Sequence, residues 1–258
     1  MQLDEIVAQT CDCHIHFGQF RDGYFSVSQL VSQIQSIGIA RACVMPTGFY
    51  SKKEFFECLS ALQSLPQERF DSFLWLSPRI LRWMPVENIF KLHNFKAIKI
   101  HGVAHPDWFA FPEKINEVCA FAGEKHVPLM FHTGKETPAS LFAHYCHQNP
   151  HTTFILAHGN PIDETIQIMN DCNNVFVDTA FLPLPHISKL CENGLSDRIL
   201  FGTDFPITSY FYSNEAPIVW YKNNIANYVS AFGERLFTLW GQTNYHKLLM
   251  TNDTWEVK

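Results

Sequence analysis

Eight short apolar runs, separated by longer stretches with apolar residues at helical intervals, constrain this chain more than any other feature. Runs of this length, bounded by Gly, Pro, Asn or Asp, mark buried strands. They cover residues 10–17, 41–46, 71–77, 96–101, 127–132, 153–158, 175–179 and 199–204. Segments 28–36, 52–65, 113–124, 138–148, 164–170 and 184–192 between them carry the periodicity of helices packed on a parallel sheet.

The β-α unit repeats every 22 to 32 residues or so, and eight such units in roughly 250 residues is the expected size of a (β/α)8 barrel, an α/β fold of the TIM type. No linker, low-complexity tract or composition break divides the 258 residues, so 1–258 is expected to be one domain. Segments 216–229 and 233–249 form a helical tail, about 214–250, with a break or cap at 241–244, that closes the outer wall. A doubly wound sheet is the competitor. It often carries a Gly-rich phosphate loop after its first strand, and neither GxGxxG nor GxxxxGK[ST] is present.

Composition narrows the function. With a net charge of -6 and no Lys/Arg stripe, a nucleic-acid surface is not expected, because phosphate binding draws on clustered positive charge. The opening MQLDEIVAQT has acidic residues where a signal peptide would be basic, and no window reaches the roughly 18 apolar residues that span a bilayer. The 8 cysteines are dispersed, and the Cys11/Cys13 pair has no second pair at zinc-knuckle distance, so free, mostly buried thiols and a cytoplasmic location are expected. The partner is then a small-molecule substrate, with no membrane, and a Phe-rich surface among 23 Phe would support a homodimer.

Polar residues gather at one end of the strands. The first run ends in Asp12, His14 and His16, which alternate and so share a face; the fourth ends in Lys99 and His101; the fifth, sixth and eighth end in His132, His158 and Asp204. In a barrel these ends converge on the face where active sites are built. Four imidazoles (His14, His16, His132, His158) and a carboxylate suit zinc or a similar transition ion better than calcium or magnesium. Taken singly, each has an ordinary reading: His-x-His is weak, His132 or His158 could bond a loop, and Asp204 could cap a turn. Their joint placement favours a metal. Lys99 stays open: it could pair with a carboxylate, hold an anionic substrate, carry a carbamate, or face the helix layer if the strand phase is off by one.

The set DCHIHFG, KIH, FHTG, LAHG and FGTDFP resembles the amidohydrolase superfamily, in particular its amidohydrolase-related group, with similarity to TatD-like and aminocarboxymuconate-semialdehyde decarboxylase-like enzymes. The likeness runs in family order to the tail GQTNYHKLL, where Tyr245, Lys247 and Leu249 replace the group's usual Ala, Arg and Phe. The resemblance implies His14, His16, His132 and Asp204 as ligands of one or two divalent ions, most simply zinc. His158 would sit beside the metal or hold a second ion, and Lys99 would stand at the bridging-carbamate position.

The expected chemistry is hydrolysis of a small, anionic or neutral ester, lactone or amide by metal-activated water. Asp204 would be the proton carrier and His158 would orient water or stabilise developing charge. Non-oxidative decarboxylation of an unsaturated or aromatic acid is the alternative. Asp12 is expected to fix the ligand strand or an imidazole tautomer. Lys99, His101, His105, Trp108, Lys135 and Arg79, at or just after strand ends three to five, are candidate substrate contacts.

Overall fold

The computed structural model of the chain describes residues 2–21, 23–211 and 213–250. Among them, nine strands form one sheet: β1 (Cys11–Phe20), β2 (Gly23–Phe25), β3 (Arg41–Pro46), β4 (Phe70–Leu76), β5 (Phe95–Ile100), β6 (Leu129–His132), β7 (Phe154–Ala157), β8 (Val175–Asp178) and β9 (Ile199–Leu200). Their order is β2-β1-β3-β4-β5-β6-β7-β8-β9, and all neighbours are parallel except β1 and β2. A parallel strand is covered on both faces, so it reads as a nearly unbroken apolar run. Both β4 (FDSFLWL) and β5 (FKAIKI) are buried at every residue.

Backbone hydrogen bonds between β1 and the segment after β9 curl this sheet into a barrel. Cys13 N–H donates to Phe201 O at 3.0 Å, Asp204 N–H to His14 O at 2.7 Å, and His16 N–H to Phe205 O at 2.6 Å. Gly202 lies in this seam, where an added Cβ would come within 3.0 Å of His14 Cβ and 3.1 Å of Cys13 Sγ. Glycine is therefore the residue that lets the two chains approach.

The covering helices are α1 (Leu3–Gln9), α2 (Val27–Ile37), α3 (Lys52–Gln63), α4 (Pro78–Leu81), α5 (Val86–Phe90), α6 (Pro112–Lys125), α7 (Ala143–Gln148), α8 (Ile162–Asp171), α9 (Leu184–Glu192), α10 (Pro217–Phe232) and α11 (Glu234–Thr238). Local chemistry sets their ends. Ser26 with Gln29 and Ser51 with Glu54 form capping boxes on α2 and α3, and α2 stops at Gly38, whose φ of 88° suits glycine.

Several expectations change. The strand expected at 199–204 pairs regularly only over Ile199–Leu200: the Phe201 N–H donates to Trp240 O in the tail at 3.1 Å, and Asp204 takes a left-handed φ of 57°. The hairpin strand β2 and helix α1 were not anticipated, and the crossover between β4 and β5 has only the short helices α4 and α5. The tail parts at Gly233, between its two expected segments, while Leu239–Thr243 runs on as a wider π-helix in place of the break expected at 241–244. The expected helix over 138–148 divides into a 3-10 turn, Ala139–Phe142, and α7. All eight cysteines are free, six of them buried. No helix among the described residues is long and apolar enough to cross a membrane.

Tyr245, one of the departures in the tail, has a physical role at the other end of the barrel. Its hydroxyl donates to Asp71 Oδ2 at 2.6 Å. The same carboxylate receives Arg41 Nε at 3.0 Å and Nη2 at 2.8 Å, tying β3, β4 and the tail together.

Candidate metal centre

Strand β1 delivers His14 and His16, both buried, to the C-terminal rim. Its register against β3 slips between Asp12 and Ile15, which breaks the simple alternation. Asp12 therefore does not share the histidines' face, as the spacing had suggested. Its Oδ1 accepts the N–H groups of His14 at 2.9 Å and Thr203 at 3.2 Å, and its Oδ2 accepts the hydroxyls of Thr203 and of Tyr221 from α10. This carboxylate clamps β1 to the segment carrying Asp204, while burial pushes its pKa up to about 7.

At the centre, His14 Nε2 and His16 Nε2 are 3.0 Å apart. Asp204 Oδ1 is 2.9 Å from the nitrogen of His16 and 3.6 Å from that of His14. Despite these short distances Oδ1 has no donor aligned for a hydrogen bond, although it is buried. Two imidazole nitrogens and an orphaned carboxylate oxygen turned to one point are what a divalent cation satisfies, and the donor set fits one. A second group within ligand reach of one another is His14, His158 and Asp178.

Burial sets the protonation of the ring cluster. It drives His14 and His101 well below the usual imidazole range, lowers His158, and brings His132 down to about 2, with neighbouring imidazoles or Lys99 adding to the shift where they act. These four imidazoles are thus neutral at pH 7, each with one N–H and one lone pair, the form a metal ligand needs. His158 Nδ1 lies 3.2 Å from Ala180 O, which can only accept, so its Nε2 carries the lone pair and faces Asp204 Oδ2 at 3.9 Å. His101 Nδ1 accepts the Ala104 N–H at 3.1 Å, which puts the proton of that ring on Nε2.

The rings touch in a closed circuit. Trp75 stacks on His101 (5.1 Å between centroids) and His101 on His132 (3.7 Å); His132 meets His158 at 4.8 Å, His158 meets His14 at 5.2 Å, and His16 connects His14 back to Trp75. Lys99 is fully buried beside them, its Nζ 3.5 Å from His14 Nε2 and 3.2 Å from Met130 Sδ. Burial lowers this ammonium to about 8, against the pull of Asp178 and Asp204.

Above the circuit opens a cavity of about 450 Å³, in the range of small-molecule sites. His14, His16, Lys99, His101, His132, His158 and Asp204 all line it. Four of the expected substrate contacts do not. Trp108 is fully buried in the 3-10 turn Pro106–Ala110, and His105 is packed against Phe49, Tyr50 and Trp75. Arg79 is half-exposed and paired with Asp107 at 3.2 Å, and Lys135 is exposed outside the lining. A loop position after a strand does not say whether the loop folds inwards, and here the 105–108 stretch turns into the packing.

Sequence reasoning passed over Asp178, Phe181, Asn160 and Trp75. Asp178 ends β8 as the other site residues end their strands, so the same signal marked it. Phe181 and Asn160 reach the rim through turns that no spacing announces. Phe181 (φ 58°), His158 (φ 70°) and Asp204 (φ 57°) are three of the four described non-glycine residues with left-handed backbone. Such conformations are disfavoured for these side chains, and their concentration here is typical of a functional site.

A barrel with neutral imidazoles and an orphaned carboxylate gathered at its C-terminal rim defines a metal-dependent enzyme, with a site compatible with hydrolase or decarboxylase chemistry on a small carboxylate or ester-type substrate. The sequence model of the amidohydrolase family matches residues 79–222, more than half of the chain, and the chain belongs to that family. No curated protein matches it in sequence.

Solved structures match closely in fold. A probable 2-pyrone-4,6-dicarboxylic acid hydrolase from Acinetobacter baumannii, with citric acid bound, is 13% identical with a TM-score of 0.66, over 94% of this chain and 99% of that one. An amidohydrolase from Burkholderia multivorans with bound zinc is 11% identical with a TM-score of 0.68 over the same shares. A 5-carboxyvanillate decarboxylase from Sphingomonas paucimobilis is 11% identical with a TM-score of 0.65, again over 94% and 99%. At these identities they speak for the fold alone.

Proposed function

We propose that this chain is a metal-dependent hydrolase of a small ester, lactone or amide, working as one barrel unit over residues 1–258 with a single zinc ion held by His14, His16, His132 and Asp204. The observation that carries the reading is the convergence of His14 Nε2, His16 Nε2 and Asp204 Oδ1 beneath the 450 Å³ cavity. Zinc suits a nitrogen-rich set with one carboxylate, and the Burkholderia structure carries that ion. When bound, the ion lowers the pKa of a water molecule towards neutrality and polarises a carbonyl oxygen.

The side chains divide the remaining work. Asp204 takes a proton from the attacking water and returns it to the leaving group. His158 orients that water by accepting from it, since its own proton is committed to Ala180 O. It therefore does not donate to a developing oxyanion. His101 Nε2–H and the Lys99 ammonium are the donors that meet substrate oxygens, so the substrate presents a carbonyl or carboxylate oxygen to them. Free thiols support a cytoplasmic workplace.

Decarboxylation of an aromatic acid is the second reading, favoured by the aromatic wall of Trp75 and Phe181 beside Lys99 and by the likeness to the Sphingomonas decarboxylase. A panel of lactones, esters and amides set against aromatic carboxylates separates the two. Hydrolytic turnover that needs the metal supports the first reading; carbon dioxide release without hydrolysis overturns it.

A further inference from the structure

Asp178 occupies a place in this site that neither the hydrolytic reading nor its rival uses. The residue is fully buried at the end of β8, with Oδ2 2.7 Å from His14 Nδ1. Its Oδ1 accepts the backbone N–H of His158 at 2.9 Å and that of Ala180 at 3.1 Å. Ala180 O in turn lies 3.2 Å from His158 Nδ1.

We infer that Asp178 is a positioning residue that aims His14 and His158 at the metal centre and holds no ion itself. The inference rests on the reading of His14 as a ligand. A carboxylate accepts from Nδ1–H of His14, which leaves the lone pair of that ring on Nε2, where His16 Nε2 and Asp204 Oδ1 lie. The same carboxylate pins the backbone of His158, whose ring is fixed by the next carbonyl in the turn. One acid thus sets the direction of imidazoles from two different strands. Among the buried side-chain atoms, His16 Nδ1 has no such partner, so the task of fixing the β1 histidine pair falls on the Asp178–His14 contact.

The competing assignment is a second ion between His14, His158 and Asp178. An ion bound at His14 Nδ1 would need the lone pair of that nitrogen, which leaves the proton on Nε2, at the centre where His16 Nε2 and Asp204 Oδ1 gather. The 2.7 Å between Asp178 Oδ2 and His14 Nδ1 is instead the length of a charge-assisted hydrogen bond. Oδ1 already has two amide donors in range, which fills the side of the carboxylate that an ion would approach.

The test uses the full chain, metal-stripped and 15N-labelled at histidine, with His14→Ala to assign the His14 signal. The expected result in the unsubstituted protein is a His14 ring protonated on Nδ1. That measurement does not depend on any Asp178 variant folding. Zinc titration of Asp178→Asn against a chromophoric chelator should then show the same number of zinc ions per chain, bound about 10–100-fold more weakly. Protonation of His14 on Nε2, unchanged zinc affinity in Asp178→Asn, or loss of one whole zinc equivalent in that variant would each overturn the inference. If His14→Ala binds zinc as tightly as the unsubstituted chain, the ligand reading of His14 fails first, and the inference falls with it.

Discussion

Lys99 should make this protein less stable than it need be, and replacing it with methionine exposes the cost. The side chain has no solvent exposure, and its Nζ faces a thioether and an imidazole nitrogen rather than a carboxylate at ion-pair distance. Burial lowers its pKa from 10.5 to about 8. A lysine whose folded pKa is depressed binds its proton less well folded than unfolded, so between pH 8 and 10.5 the unfolded chain holds more protons and stability rises with pH. Below pH 8 the full penalty is present; above 10.5 it has gone. At 1.36 kcal/mol per pH unit the penalty is on the order of 3 kcal/mol at pH 7, and about 1 kcal/mol of it remains at pH 9.5.

Lys99→Met keeps similar length and apolar bulk, so urea denaturation of the chelator-treated proteins should show the variant more stable by about 3 kcal/mol at pH 7, the gap closing to about 1 at pH 9.5. The variant should also lose catalytic activity, because it removes the ammonium proposed to meet the substrate in the cavity. A variant no more stable than the parent, or a gap independent of pH, would refute the reasoning and mean that the amine is paired or chemically modified.

Three further outcomes follow from the geometry. Asp204→Asn should lower kcat at least about 100-fold, measured at saturating zinc, with circular dichroism unchanged, as expected for loss of a proton carrier. Tyr245→Phe, at the opposite end of the barrel, should cost about 2 kcal/mol in denaturant unfolding by leaving the buried Asp71 carboxylate short of a donor, and should leave kcat and KM unchanged. His101→Leu should raise KM about tenfold or more without changing the zinc content, since its ring lines the cavity with Nε2 protonated, a donor for substrate rather than a lone pair for a metal. Unchanged KM would remove His101 from the substrate contacts.

The barrel was legible because parallel strands buried on both faces must be apolar along their length, so the few polar residues stand out where the strands end. His14, His16, Lys99, His101, His132, His158 and Asp204 were found this way, and the structure brings them to one cavity. What the pattern could not supply is partnership. Asp178 ends its strand like the others, yet only the closed barrel sets it against His14, 164 residues earlier. The register slip after Asp12, which turns that carboxylate towards Thr203 and Tyr221, is a property of strand pairing and has no signature in a period of two. Trp108 and His105 lie outside the cavity lining for a related reason: a short loop rich in aromatic residues buries them when packing permits, and composition alone does not say which way it turns.

Elemental analysis of the purified protein, beside His16→Ala and Asp204→Ala, tests most directly for a metal held by the β1 histidines and Asp204. One zinc per chain in the parent, lost from both variants and accompanied by chelator-sensitive turnover that returns with added zinc, is the result predicted. A metal-free parent that is fully active, or variants that keep the ion with unaltered affinity, would contradict it.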